Sequence, residues 1–231
     1  MRAVFHYAVL VNALAVVVGA SVGITIRRGL KDEYRRVLFT SIALVTLGIG
    51  IKMALKTEEF LIVLASLVLG SIVGEVTNIE ERLGKLANFV EKSEGKTDFV
   101  RGFVTSSLLF LVGPMTILGS ISIGTTGNAE LILIKSLMDG LSSIVIASVY
   151  GYGVMMSAAM VYIVQGLLVS FAKTLEFLST PHYLNDFTGL GGLMIMAIGI
   201  RMLEIKEIKV GNMLPALIIV VILDWLKLTS T

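Results

Sequence analysis

Eight stretches of the chain are almost wholly apolar, roughly 4–26, 37–54, 59–76, 100–120, 130–152, 154–178, 187–204 and 211–228, and the polar residues gather between them. None shows the period-two alternation of a half-buried strand. Each approaches the ~20 apolar residues that an α-helix needs to cross a bilayer. Within lipid only helices and closed barrels satisfy every backbone group. The pattern predicts an all-α membrane protein of about eight transmembrane helices. The last two stretches are short, so seven is the competing count. The first, Val4 to Ile26, has one basic residue before it. It is long enough to span, so it reads as a retained helix and not as a cleavable signal.

The one sizeable polar segment runs from Thr77 to Asp98. Its apolar residues Ile79, Leu83, Leu86 and Phe89/Val90 recur at helical spacing among Glu and Lys. Two readings stand: an amphipathic helix on the membrane interface, or a solvated helix linking two halves.

Composition narrows the class. Of 231 residues, 55% are hydrophobic and 16% charged, against about 25% charged in a soluble domain. That excludes a disordered chain, a basic nucleic-acid binder and an ordinary soluble enzyme. The expected partner is the lipid bilayer, with no nucleic acid. There is no cysteine, so disulfides, thiolate metal sites and cysteine nucleophiles are out.

The basic residues are unevenly placed. Arg27, Arg28, Lys31, Arg35 and Arg36 follow the first span, Arg82, Lys85, Lys92, Lys96 and Arg101 the third, and Arg201, Lys206 and Lys209 the seventh. With eight spans these share one side. Arg2, Lys52, Lys56, Lys135, Lys173 and Lys227 fall on the other. The positive-inside rule then sets both termini outside.

Ile49-Gly50-Ile51-Lys52-Met53 recurs as Ile198-Gly199-Ile200-Arg201-Met202, and Phe39-Thr40 as Phe187-Thr188. Spans 1–3 then match spans 6–8, with two spans between them. The second unit therefore enters the membrane from the opposite face, which makes an inverted repeat. The reading is one membrane domain: repeat A over 1–77, an interfacial linker over 78–98, central helices over 99–152 and repeat B over 153–231. Inverted repeats around a mid-membrane site are a common transporter plan.

Small residues recur every fourth position, as Ala15-Gly19-Gly23 and Ser66-Gly70-Gly74. Such stripes let helix backbones approach closely.

The chemistry centres on ionisable groups at membrane depth, which are costly and therefore functional candidates. Lys135 and Asp139 lie four apart on one helical face, within ion-pair reach. A buried carboxylate beside an ammonium suits a proton or sodium switch, in which the cation competes with Lys135. The alternative is a self-neutralised pair that merely permits insertion. Ser136, Ser142 and Ser143 add hydroxyls nearby. Glu75 ends the third span and is either interfacial or a second ion site. Asn12 and Gln165 each put one amide into an apolar span, to line a pathway or to bond across helices.

Gly113-Pro114 interrupts the fourth span, where proline frees a carbonyl and kinks the helix. With Gly119 and the Gly/Ser/Thr run to Asn128, this reads as a kinked or re-entrant gate beside the Lys135/Asp139 helix. Asn212 with Pro215 reads as the cap and first turn of the last span. His6 and His182 sit near membrane edges, and no His/carboxylate cluster has metal-ligand spacing in the sequence. No catalytic motif or cofactor-binding loop occurs. The expectation is no enzyme, no cofactor and no metal.

Taken together, several motifs are similar to one known family. They are Asn12-Ala-Leu-Ala with Gly19 and Gly23, Thr46-Leu-Gly-Ile-Gly-Ile51, Gly70-Ser-Ile-Val-Gly-Glu75 and Gly113-Pro-Met-Thr-Ile-Leu-Gly-Ser120. Gly127, Lys135-Ser-Leu-Met-Asp139, Asp186-Phe with Gly191-Gly192, and Gly211-Asn-Met-Leu-Pro-Ala216 complete the set. The chain resembles the prokaryotic YdfK/YqgA-like membrane proteins over nearly its whole length. The resemblance implies a bacterial or archaeal plasma-membrane location and no particular activity. The residues themselves lead to the expectation of a small transporter or channel for an ion or small solute. A homo-oligomer is expected by analogy only. The rival reading is a non-transporting structural or signalling protein.

Overall fold

The computed structural model describes residues 6–29, 31–90 and 96–230. All regular structure among them is helical: α1 (Tyr7–Gly29), α2 (Asp32–Ala54), α3 (Phe60–Thr77), α4 (Ile79–Val90), α5 (Lys96–Leu111), α6 (Pro114–Thr126), α7 (Glu130–Tyr150), α8 (Tyr152–Ser170), α9 (Pro181–Met202) and α10 (Ala216–Ser230). Short 3₁₀ turns cover Glu176–Ser179 and Val210–Met213. Seven segments are long and apolar enough to cross a membrane singly, and α5 with α6 form a pair bent by 59°. The helices form two compact units, Met1–Leu38 with Ala87–Ser179, and Phe39–Leu86 with Thr180–Thr231.

In the first unit α1 and α7 run parallel. Ala8 and Val9 cluster with Ile132, Gly19 lies against the Gly140 backbone, and Gly23 against Ile144 and Ala147. A side chain at Gly19 or Gly23 would drive into backbone atoms of α7, so glycine sets how closely the pair approaches. Against this pair α8 runs antiparallel. Its late residue Val169 joins the cluster of Ala8 and Val9, while its early Tyr152 Oη accepts a hydrogen bond from Arg28 Nη2 at 3.1 Å.

The bent pair is where the counts of seven and eight spans part. Asp98 accepts from Arg27 at 2.9 Å, which sets the start of α5 beside the end of α1. Ile123, near the end of α6, lies with Ala8, Val9 and Ile132 at the opposite end of the unit. The chain therefore travels the length of the unit between the start of α5 and the end of α6, and taken as one broken span the pair brings the candidate crossings from seven to eight. Gly113 is extended (φ −69°, ψ 146°) and Pro114 opens α6, where its missing N–H costs nothing. Thr116 Oγ1 donates to the Phe110 carbonyl at 2.7 Å, so the break satisfies an acceptor that the interrupted helix leaves over.

In the second unit the latter part of α2 runs antiparallel to α9. Gly50 meets Gly192 and Met196, and Gly199 meets Leu47 and Ala43. At the start of the seventh apolar stretch, Gly189 lies against Thr57 and Gly192 against Ala54 and Gly50, so both are close-packing positions. Likewise α3 runs antiparallel to α10 over a core of Val63, Leu190, Ala216 and Val220. Its ends are fixed by Gly74 against Asn212 and by Lys227 Nζ 2.6 Å from Glu59 Oε1.

Several boundaries differ from the sequence expectation, the second helix starting at Asp32 and the fourth stretch reaching Thr126. The sixth span ends at Ser170, short of 178, and the seventh begins at Pro181, ahead of 187. Thr180 is extended and Pro181 holds a first-turn position, where its fixed φ suits a helix start. The eighth begins with a 3₁₀ turn, and Asn212 does not cap α10. Its Oδ1 instead accepts from the Glu80 N–H at 2.8 Å and its Nδ2 donates to Glu75 Oε2 at 2.6 Å, tying the α3–α4 corner. The amphipathic segment does form α4, with Glu80 bound to Arg201 Nη1 at 2.8 Å. The side chains of Leu86, Phe89 and Val90 lie outside the described residues, as does Lys92.

Candidate functional site

The helical repeat brings Lys135 and Asp139 together on α7, because residues four apart stack on one face. Lys135 Nζ donates to Asp139 Oδ1 at 2.7 Å and lies as near to Oδ2. Both residues are only 5% exposed. Asn12 of α1 completes the group, its Nδ2 donating to Asp139 Oδ2 at 3.2 Å. Phe110 of α5 presents its ring 5.9 Å from the ammonium, within reach of the quadrupole attraction that a desolvated cation feels. Asp139 is thus held by two donors from two helices.

Gln165 belongs at the same depth. The register that sets Ala8 and Val9 beside Val169 brings Gln165, one turn before Val169, level with Asn12, one turn after Ala8. Gln165 is fully buried, and neither its Nε2 nor its Oε1 has a hydrogen-bond partner among the described residues. Asn12 Oδ1, Ser107 Oγ and Ser120 Oγ are buried and unpartnered as well. Buried polar groups are ordinarily hydrogen-bonded, which sets these unpartnered atoms apart from the rest of the unit's interior.

Other residues singled out from the sequence do different work. Ser136 Oγ is taken up by the Ile132 carbonyl at 2.7 Å and Ser143 Oγ by the Asp139 carbonyl at 2.7 Å, the usual fate of helical serines; Ser142 is exposed. Gly119 packs against Ile132. Glu75 lies in the second unit, over half exposed and 2.7 Å from Lys209. There the carboxylate holds the Lys209 ammonium above its ordinary pKa through that hydrogen bond.

The second unit carries a constellation absent from the sequence reading. His182, Asp186 and Asp224 bring one potential ligand atom each within 4.8 Å of one another. Asp186 and Asp224 are fully buried. The sequence shows no metal-ligand spacing because the grouping is made by tertiary structure, at the start of α9 and near the end of α10. The available signals were the i,i+4 interval of His182 and Asp186 and an ionisable Asp224 in an apolar span.

Comparison with known proteins adds identity without activity. The family model described as "Protein of unknown function (DUF554)" matches residues 7–225. The chain is 30% identical over 212 residues to "Uncharacterized membrane protein YdfK" of Bacillus subtilis (strain 168), covering 90% of this chain and 91% of that protein. It is 29% identical over 216 residues to "Uncharacterized protein YqgA" of Escherichia coli (strain K12), covering 90% and 92%. No solved structure matches it.

Proposed function

The chain belongs to the DUF554 family, and we propose that this multi-pass membrane protein is a small transporter or channel for an ion or small solute. One observation carries the reading: a carboxylate on a candidate spanning helix, Asp139, is held by Lys135 and Asn12, and the same unit buries an unsatisfied amide, Gln165. Charges at membrane depth are rare, and they mark ion pathways and proton relays. A proton or sodium ion arriving at Asp139 takes the place of the Lys135 ammonium, whose release changes the charge facing α1 and α5. Gln165 and Asn12 serve as neutral pathway groups, and the Gly113–Pro114 break is the point where the wall of the site yields.

The helix directions support an inverted repeat. Within their units α1 lies antiparallel to α8, α2 to α9 and α3 to α10, as matched spans of opposite topology require. The excess of Arg and Lys after the first, third and seventh spans supports a plasma-membrane orientation with both termini outside.

Flux into proteoliposomes under ion or pH gradients tests the reading. Wild-type flux that is lost in Asp139→Asn supports it. Flux unchanged by the substitution removes Asp139 from the mechanism, and no flux of any ion tried puts a structural or signalling role ahead. That second reading has its own support, since Lys135 already lies on both oxygens of Asp139.

A further inference from the structure

We propose that His182, Asp186 and Asp224 form a binding site for one divalent transition-metal ion, of the Zn²⁺ or Mn²⁺ class, at the end of the second unit where α3 and α9 begin and α10 ends. The inference is independent of Asp139 and of transport.

Asp224 points to a ligand. Its side chain is 1% exposed, and neither oxygen is reached by an N–H or hydroxyl donor among the described residues, the Asp186 carboxyl being its neighbour. The Nε2 of His182 faces it from 3.6 Å and is likewise buried without a hydrogen bond. Two ligands bound at about 2.0–2.2 Å in tetrahedral geometry stand roughly 3.4 Å apart, so this gap suits a shared ion. It is too long for a hydrogen bond.

Asp186 is held in place for the same task. Its Oδ1 accepts the backbone N–H groups of Glu58 and Glu59 at 2.7 and 3.0 Å, and its Oδ2 accepts the latter at 3.3 Å. A carboxylate has about four acceptor positions, so Oδ2 keeps capacity toward Asp224. Two buried carboxylates side by side call for compensating charge. Lys227, at the end of α10, is paired with Glu59. A divalent ion supplies the missing charge.

The surroundings of His182 fit as well. Its Nδ1 lies 3.5 Å from Glu58 Oε2, and Glu58 Oε1 accepts from Asn185 Nδ2 at 2.6 Å. A carboxylate on the far nitrogen fixes the tautomer and aims the other nitrogen at a metal. One imidazole with two carboxylates favours Zn²⁺ or Mn²⁺ over Mg²⁺ or Ca²⁺, which prefer all-oxygen sites. His182 is about one quarter exposed, which leaves an approach for the ion.

The test is calorimetric titration of the purified, untagged protein in detergent, stripped with chelator, using Zn²⁺, Mn²⁺ and Mg²⁺ separately, with thermal unfolding in parallel. Expected are one equivalent of Zn²⁺ or Mn²⁺ bound, a raised Tm, and binding weakened at least 100-fold in Asp224→Asn and His182→Ala. Glu58→Gln should weaken it about 10–100-fold. His182→Ala, at the rim, serves if Asp224→Asn does not fold. No binding of Zn²⁺ or Mn²⁺ by the stripped wild type, or equal binding by the folded variants, overturns the proposal. So does an Asp224→Asn protein more stable than wild type and indifferent to metal, which identifies a pair sharing a proton.

Discussion

Asn12 on α1 and Asp139 on α7 are joined by a 3.2 Å hydrogen bond between two parallel helices, 127 residues apart in the chain. The bond depends on how closely the helices approach, and that distance is set about two and three turns further along, where Gly19 and Gly23 lie on the α7 backbone. The polar contact and the glycine stripe are therefore one device. The stripe brings α1 near enough for a short amide to reach a carboxylate that is otherwise held from its own helix.

Asp139→Asn should cost more than a hydrogen bond. It leaves the Lys135 ammonium buried without a counter-charge, and breaking a buried pair by removing one partner costs about 3–5 kcal/mol. Replacing both, as Lys135→Met with Asp139→Leu, removes the orphaned charge and should recover most of that loss. Unfolding of the two single variants and the double variant in detergent measures the cycle. If the double variant is as unstable as Asp139→Asn, the pair is not the source of the cost.

Gly19→Ala and Gly23→Ala should each destabilise by about 1–3 kcal/mol, the range for forcing extra volume into a tight interface. Gly48→Ala, in α2 with open space around the added carbon, should be neutral or stabilising by up to about 1 kcal/mol through helix propensity. Thermal unfolding of the three variants separates close packing from helix propensity. A loss at Gly48 as large as at Gly19 contradicts the packing account.

Much of this site was legible in the sequence because its core is local. Lys135 and Asp139 share one helix face whatever the tertiary structure, and Asn12 and Gln165 stand out as amides in apolar runs. What Asn12 bonds to was not legible, since that depends on the α1–α7 seam. That Ser136 Oγ is bonded to the backbone of its own helix was not legible either, since the sequence shows a hydroxyl and not what it bonds to. His182 and Asp186 were missed for a different reason: starting the seventh span at 187 left both in a link, and the turn that stacks them begins at Pro181. Asp224 met the same rule that selected Asp139, an ionisable residue in an apolar span. Its partners come from elsewhere in the chain, so no spacing announced them.

The bend between α5 and α6 depends on more than proline. Thr116 Oγ1 holds the Phe110 carbonyl across the break, so Pro114→Ala should keep most of the 59° bend. Thr116→Val leaves a buried acceptor unpaired and should cost about 1–3 kcal/mol. Distances between spin labels on α5 and α6 report the bend, and unfolding reports the cost. Straightening in Pro114→Ala alone would assign the bend to proline.

The Glu59–Lys227 pair gives a pH signature at the end of the second unit. Lys227, by its hydrogen bond, holds the Glu59 carboxyl below the ordinary glutamate pKa. A folded-state pKa that is depressed contributes stability above the unfolded value and loses it as pH falls through the folded one. With chelator present, Lys227→Met should therefore lower Tm at neutral pH. The difference from wild type should close as pH falls below the ordinary glutamate range. A difference that persists in acid assigns the effect of Lys227 to packing of its stem.

Because the chain has no cysteine, single introduced cysteines can read its orientation without background. The two ends of α3 are marked by Lys56, in the link before it, and Lys85, on α4 after it. The basic excess lies on the Lys85 side, and positive residues are retained in the cytoplasm. Lys56→Cys should react with a membrane-impermeant maleimide in intact cells, and Lys85→Cys only after permeabilisation. The reverse result places both termini inside and the His182–Asp186–Asp224 cluster on the cytoplasmic face. Labelling of both in intact cells would mean that α3 does not cross.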